Sequence, residues 1–130
     1  MALVRLDHVN VRTSNLEQMS RFYEATFGLE PGPRPGFDFA GRWLYCADRA
    51  VVHFVETEEQ PAGHEPRIEH FAFRARDYAG FVTDLDRLGV EYRLVDVPPG
   101  SGQDLRQVFV RDPDGNRVEV AFDKRLDHLD

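Results

Sequence analysis

Two hydrophobic periods alternate along this chain. In "RLDHVNVR" (5–12) apolar residues recur at every second position, with Val9 and Val11 on one side and His8, Asn10 and Arg12 on the other. In the segment that follows, Leu16, Met19 and Tyr23 recur at helical spacing. The same change occurs after "RIEHFAFR" (67–74), where Tyr78, Phe81, Val82, Leu85 and Leu88 take over the helical period. The spacing predicts helices over 14–27 and 77–88. The first is opened by the capping-box form Ser14-x-x-Glu17 and stopped by Gly28; the second is capped by Asp77 and stopped by Gly89. Strands are predicted near 4–11, 36–40, 42–47, 50–56, 67–75, 92–97, 105–111 and 116–122.

These elements repeat. Arg5, Asp7, His8, Arg12, Leu16 and Met19 match Arg67, Glu69, His70, Arg74, Tyr78 and Phe81, each 62 positions on. "LYCADRAVVHFV" (44–55) lies over "VRDPDGNRVEVA" (110–121) at an offset of 66, which places Val52 on Val118 and His53 on Glu119. Each half closes with a hairpin, at "ADRA" and at "DPDG". The expected fold class is α+β: two βαβββ modules with mainly antiparallel sheets, module one over about 4–56 and module two over about 67–123, joined by the linker 57–66.

Length and composition narrow the setting. The 130 residues suit a single domain built from the two modules. A formal net charge of −7 disfavours nucleic acid and anionic membranes as partners. No apolar run reaches membrane-span length, and "MALVRLDHV" is too short and polar for a secretion signal, so a cytoplasmic location is expected. Cys46 is the only cysteine, which excludes an internal disulfide and a cysteine-based zinc site; its place in a predicted strand suggests a buried, inert thiol. The glycine-bearing loops "PGPRPG" (31–36) and "PPGSG" (98–102) lack the spacing of a phosphate loop.

Strand alternation then sorts the histidines. Val9, Val11, Phe71, Phe73, Val52, Phe54, Val118 and Val120 occupy the apolar faces that should cover the helices. His8, His70, His53 and Glu119 all fall on the opposite faces. A lone strand histidine is ordinarily a hydrogen-bonded structural residue. Three at repeat-related positions, with a carboxylate at a fourth, form instead a donor set suited to a divalent transition metal. His64 and His128 fall in a loop and at the tail and receive no role.

At these residues the chain resembles the glyoxalase, bleomycin-resistance and extradiol dioxygenase superfamily, the vicinal oxygen chelate group. The resemblance rests on "LDHVNVR", "FYEATFGLE", "IEHFAFR" and "VRDPDGNRVEV" and spans about residues 4–123. It implies sheets curled around a metal cleft, with His8, His70 and Glu119 as ligands of Fe, Ni, Zn or Mn. His53 stands where glyoxalase-like members usually have Glu or Gln, as a further ligand or as an acid or base. Glu119 and His53 are thus the candidate catalytic residues. Arg12 stands where similar glyoxalases bind a substrate carboxylate, and Arg74 is its repeat partner; an ordinary ion pair is the alternative for each. Phe37 and Trp43, with Phe39 and Tyr45, form an aromatic series that lines a pocket or simply packs the core. The resemblance further implies a homodimer in which modules of two chains face each other. The expected activity is a glyoxalase-like lyase or isomerase acting on a small, oxygenated, anionic substrate. Fe(II) ring-cleaving oxygenation and metal-free ligand sequestration are the rivals.

Overall fold

The computed structural model describes residues 5–62, 70–97 and 104–130. They fall into two compact units that divide between His64 and Glu65. Unit one contains β1 (Val9–Thr13), α1 (Leu16–Phe27), β2 (Glu30–Gly32), β3 (Gly41–Cys46) and β4 (Arg49–Glu56). Unit two contains β5 (Phe71–Ala75), α2 (Tyr78–Leu88), β6 (Tyr92–Asp96), β7 (Leu105–Arg111) and β8 (Arg117–Asp123). The sheet orders are β1-β4-β3-β2 and β5-β8-β7-β6. In each, the first strand runs parallel to the last, and the other two pairings are antiparallel. The class is α+β with two mixed sheets, and the βαβββ order of each half matches the sequence repeat. No helix among the described residues is long and apolar enough to cross a membrane.

The apolar stripe of α1 decides which sheet face is covered in unit one. Met19 and Tyr23 are fully buried, and the Tyr23 ring meets Phe54 of β4 edge to face at 5.2 Å. Val52 and Leu44 complete that layer. In unit two, Tyr78 and Phe81 of α2 pack on Phe122, and Leu85 is fully buried. Both helices end at glycines in the left-handed region, Gly28 and Gly89, each with φ near 69°. This is the conformation that glycine tolerates and the C-cap requires.

Four expectations are corrected. There is no strand at 36–40; the edge strand is Glu30–Gly32 instead. Pro33 and Pro35 cannot donate to a ladder, and the chain leaves the sheet there. Phe37 therefore lies in a loop. It stacks on Phe39 at 4.8 Å, and the Arg34 guanidinium sits 5.2 and 5.4 Å from the two rings. The first strand begins at Val9, where its ladder with Val52 of β4 starts, and continues to Thr13. The Ser14–Glu17 capping box does not form. The N-cap is Asn15, without a side-chain cap bond. Ser14 Oγ donates instead to Gln60, and Glu17 accepts from Arg42 at 2.7 and 3.2 Å, so both partners are engaged elsewhere. Cys46 is exposed rather than buried, because β3 ends on it at the Ala47–Asp48 turn. His64, Arg67, Glu69, the start of the predicted strand 67–75 and the loop 98–102 lie outside the described residues.

The start of α2 is tied to the C-terminal segment. Asp77 accepts from Gly80 N–H at 3.1 Å, as expected of an N-cap. Asp127, whose side chain is only 7% exposed, accepts from the N–H groups of Asp77 and Tyr78 at 3.1 and 3.3 Å. Two helix-end donors thus share one carboxylate. We expect Asp127→Ala to lower unfolding free energy by about 1–2 kcal/mol, measured by urea denaturation. A change within 0.3 kcal/mol would show that water replaces the carboxylate without loss.

Candidate metal centre

Because Val52 and Phe54 face α1, His53 between them emerges on the opposite face of sheet one. Its cross-strand partner is Trp43 of β3, and its neighbour on β1 is Asn10. The three rings of His8, His53 and Trp43 form a continuous stack. His53 lies 3.9 Å from His8 with planes 13° apart, and 3.8 Å from Trp43 with planes 7° apart. His53 is buried, whereas His8, one residue ahead of β1, is exposed.

Hydrogen bonds determine which nitrogen each histidine offers. His8 Nδ1 lies 2.9 Å from Asp7 Oδ2. An ionised carboxylate only accepts, so Nδ1 carries the proton and the Nε2 lone pair remains available for a ligand. Asp7 is held ionised by His8 and by Arg5, which together lower its pKa to about 2. His53 Nε2 is 3.0 Å from the Ala50 carbonyl, which again only accepts, so in neutral His53 the lone pair lies on Nδ1. Burial, reinforced by the neighbouring His8, lowers the pKa of His53, which favours the neutral ring.

Unit two repeats the arrangement with different chemistry. Glu119 of β8 stands across from Phe109 of β7 and beside Ala72 of β5, the same register that His53 has to Trp43 and Asn10. Glu119 is 7% exposed, and Gln107 Nε2 donates to its Oε1 at 2.9 Å. His70 Nε2 lies 3.6 Å from the same oxygen, and its ring meets Phe109 edge to face at 5.8 Å. Gln107 has no counterpart in unit one, where the matching position is Gly41.

These residues fit a divalent ion. Two donors 3.6 Å apart can both lie about 2.0–2.2 Å from one metal. The buried Glu119 carboxylate would supply compensating charge, and the His8 Nε2 lone pair points away from the Asp7 hydrogen bond. Among the described residues no three His, Cys, Asp or Glu side chains gather into a metal-binding group, so each unit by itself offers two of the four candidates. Arg12 and Arg74 are exposed at alternate positions on the helix-free sides of β1 and β5. Trp43 belongs to the histidine stack, whereas Phe37 is grouped with Arg34 and Phe39. The sequence reading missed the roles of Asp7 and Gln107. Asp7 was detectable as a carboxylate adjacent to His8; Gln107 required the strand register.

Over 128 residues the chain is 29% identical to a manganese-dependent 2,3-dihydroxybiphenyl 1,2-dioxygenase of Geobacillus genomosp. 3, covering 89% of this chain and 38% of the relative. It is 27% identical over 124 residues to a metapyrocatechase of Geobacillus stearothermophilus, covering 92% and 37%. The chain thus spans well under half the length of these curated relatives. A crystal structure of a protein assigned to the glyoxalase family, from Bacillus anthracis, superposes with a TM-score of 0.77 at 26% identity, covering 95% of this chain and 98% of that one. The sequence model of the Glyoxalase/Bleomycin resistance protein/Dioxygenase superfamily matches residues 5–120, and the chain belongs to that superfamily.

Proposed function

We propose that this chain is a divalent-metal-dependent, glyoxalase-like lyase or isomerase acting on a small, oxygenated, anionic substrate. Its two modules form one domain, and His8, His70 and Glu119 hold the metal. The observation that carries this reading is the repeat-related pair of donor sets: a tautomer-fixed His8 in one unit and a His70–Glu119 pair in the other. A bound ion would act as a Lewis acid on the substrate's adjacent oxygens. Glu119 is the only carboxylate in the set and serves as the base that moves a proton beside a carbonyl, while Gln107 holds its Oε1 in place. Arg12 and Arg74 supply positive charge on the sides of the sheets that carry the donors.

His53 has a different task. Nearly parallel rings 3.9 Å apart direct their in-plane lone pairs along parallel planes. Such lone pairs do not converge on one ion, so His53 supports the His8 ring, and its Nδ1 remains available for proton exchange. His53→Ala is expected to weaken metal affinity modestly and to reduce turnover further. Asp7→Ala is expected to weaken metal affinity about 10- to 100-fold, measured by competition with a chromophoric chelator. Unchanged affinity would remove Asp7 from the orientation of His8.

Ring-cleaving oxygenation is the second reading. It is favoured by the dioxygenase names of both curated relatives and by the loss of a second carboxylate at position 53. Elemental analysis of protein purified without added metal separates the cases. Nickel or zinc supports the isomerase, iron or manganese the oxygenase, and absence of metal a ligand-sequestering protein. The reading also includes a homodimer that shares its sites, and a cytoplasmic location, where the exposed Cys46 stays reduced. Mixing His8→Ala with Glu119→Ala protein tests the shared site. Return of metal binding in exchanged dimers is expected; exchange without return places all ligands on one chain.

A further inference from the structure

The helix-free face of sheet two carries more than metal donors. Cross-strand partners share a face, so the register Arg93–Phe109–Glu119 places Arg93 of β6 in line with the candidate base. The next partners on that face, Arg111 and Arg117, stand opposite each other across β7 and β8. The Arg117 guanidinium lies over the Phe109 ring at 4.2 Å, which holds it against the sheet. Arg111 donates one N–H to the Gly115 carbonyl at 3.0 Å. These side chains line an open cleft of about 470 Å³ together with Glu91, Tyr92 and Val110, so three guanidinium groups share one cleft wall. This occurs on a chain whose formal net charge is −7, which makes the concentration of positive charge a local feature.

The structure assigns to Arg93, Arg111 and Arg117 a site for the oxyanion group, carboxylate or phosphate-like, of a small-molecule substrate. The guanidinium fork matches such groups and holds them by charge-assisted hydrogen bonds. Adjacent strands are about 4.8 Å apart. The anionic group would therefore lie one to two strand spacings, roughly 5–10 Å, from Glu119. This places the substrate's charge at a distance from its reacting oxygens, with Phe109 between them. The inference deepens the proposed enzymatic reading by locating the charged end of the substrate. Anion binding at these arginines does not itself need the metal.

The test uses the whole 130-residue chain after treatment with a chelator, at low ionic strength. Benzoate, inorganic phosphate and neutral benzamide are titrated while the arginine Nε–Hε signals are followed by NMR. Benzoate and phosphate are expected to shift Arg93 and Arg111, and benzamide to leave them unmoved. A response to benzoate alone or to phosphate alone identifies which oxyanion the site takes. The double variant Arg93→Gln, Arg111→Gln should weaken binding about tenfold or more, with an unchanged thermal midpoint as the folding control. No shift at either arginine with both anions, equal shifts with benzamide, or full affinity in the double variant would overturn the assignment. So would loss of binding only in Arg12→Gln, Arg74→Gln. Metal binding is measured separately on the same protein. Loss of the metal reading with anion binding intact, and the reverse, are therefore distinct results.

Discussion

His70→Ala is expected to yield a folded protein without stoichiometric binding of divalent metal. The argument begins with position. His70 precedes β5 and is exposed, so its removal takes no large apolar group out of a core. Its Nε2 stands 3.6 Å from Glu119 Oε1. Removing one of three proposed ligands leaves Glu119, held by Gln107, as the one proposed ligand of unit two. Structural and catalytic transition-metal sites ordinarily keep three or four protein ligands, and two rarely hold an ion against water. Glu119→Ala should give the same loss, and Glu119→Gln should show that the charge is required, because the amide preserves shape and one acceptor oxygen. The measurement is metal content after dialysis at limiting free metal, with circular dichroism as the folding control. Full metal occupancy in folded His70→Ala would remove His70 from the site. Saturating metal should also raise the stability of the native protein, by about 4 kcal/mol at a thousandfold excess over Kd. None of these three variants should show that rise.

Phe54→Ala should have the larger effect on folding, lowering stability by about 3–5 kcal/mol. Phe54 is 1% exposed in the central strand pairing of sheet one, and its ring receives the edge of Tyr23 from α1. Truncation leaves a cavity between helix and sheet that fully buried Met19, Leu44 and Val52 cannot all move to fill. For a domain of this size that is a substantial share of the roughly 6–20 kcal/mol expected in total. Urea denaturation of the metal-free protein measures it. The neighbouring His53→Ala removes a ring from the opposite face and should cost clearly less. Equal losses at the two positions would show that the stacked ring face is as important to stability as the helix-covered one.

Much of this architecture was legible because local rules and burial agree. The helical stripes, the glycine stops at 28 and 89 and the β7–β8 hairpin all follow from short-range periodicity and turn chemistry. The alternation that assigned His53 and Glu119 to the helix-free faces depended only on the two-residue period of a strand and on the adjacent buried valines and phenylalanines. The 36–40 strand misled because Phe37 and Phe39 alternate like a strand while the prolines before them remove ladder donors. The capping box misled for a related reason. Its sequence form is local, but Gln60 and Arg42 compete for its two side chains from far along the chain.

The sequence by itself determined the duplication, the α+β class, the helix-covered faces and the identity of the candidate donors. All of these follow from periodicities and from residue types with few alternative uses. Only the tertiary structure decided what surrounds those donors. It stacked His53 between His8 and Trp43, set Asp7 on His8 and Ala50 on His53, and placed Gln107 on Glu119. It also aligned Arg93, Arg111 and Arg117 on one face of sheet two. These arrangements depend on strand register and on side-chain rotamers between residues distant in the chain. A one-residue slip would turn the register-dependent side chains to the other face. Nothing in the local pattern specifies that register until the strands are paired.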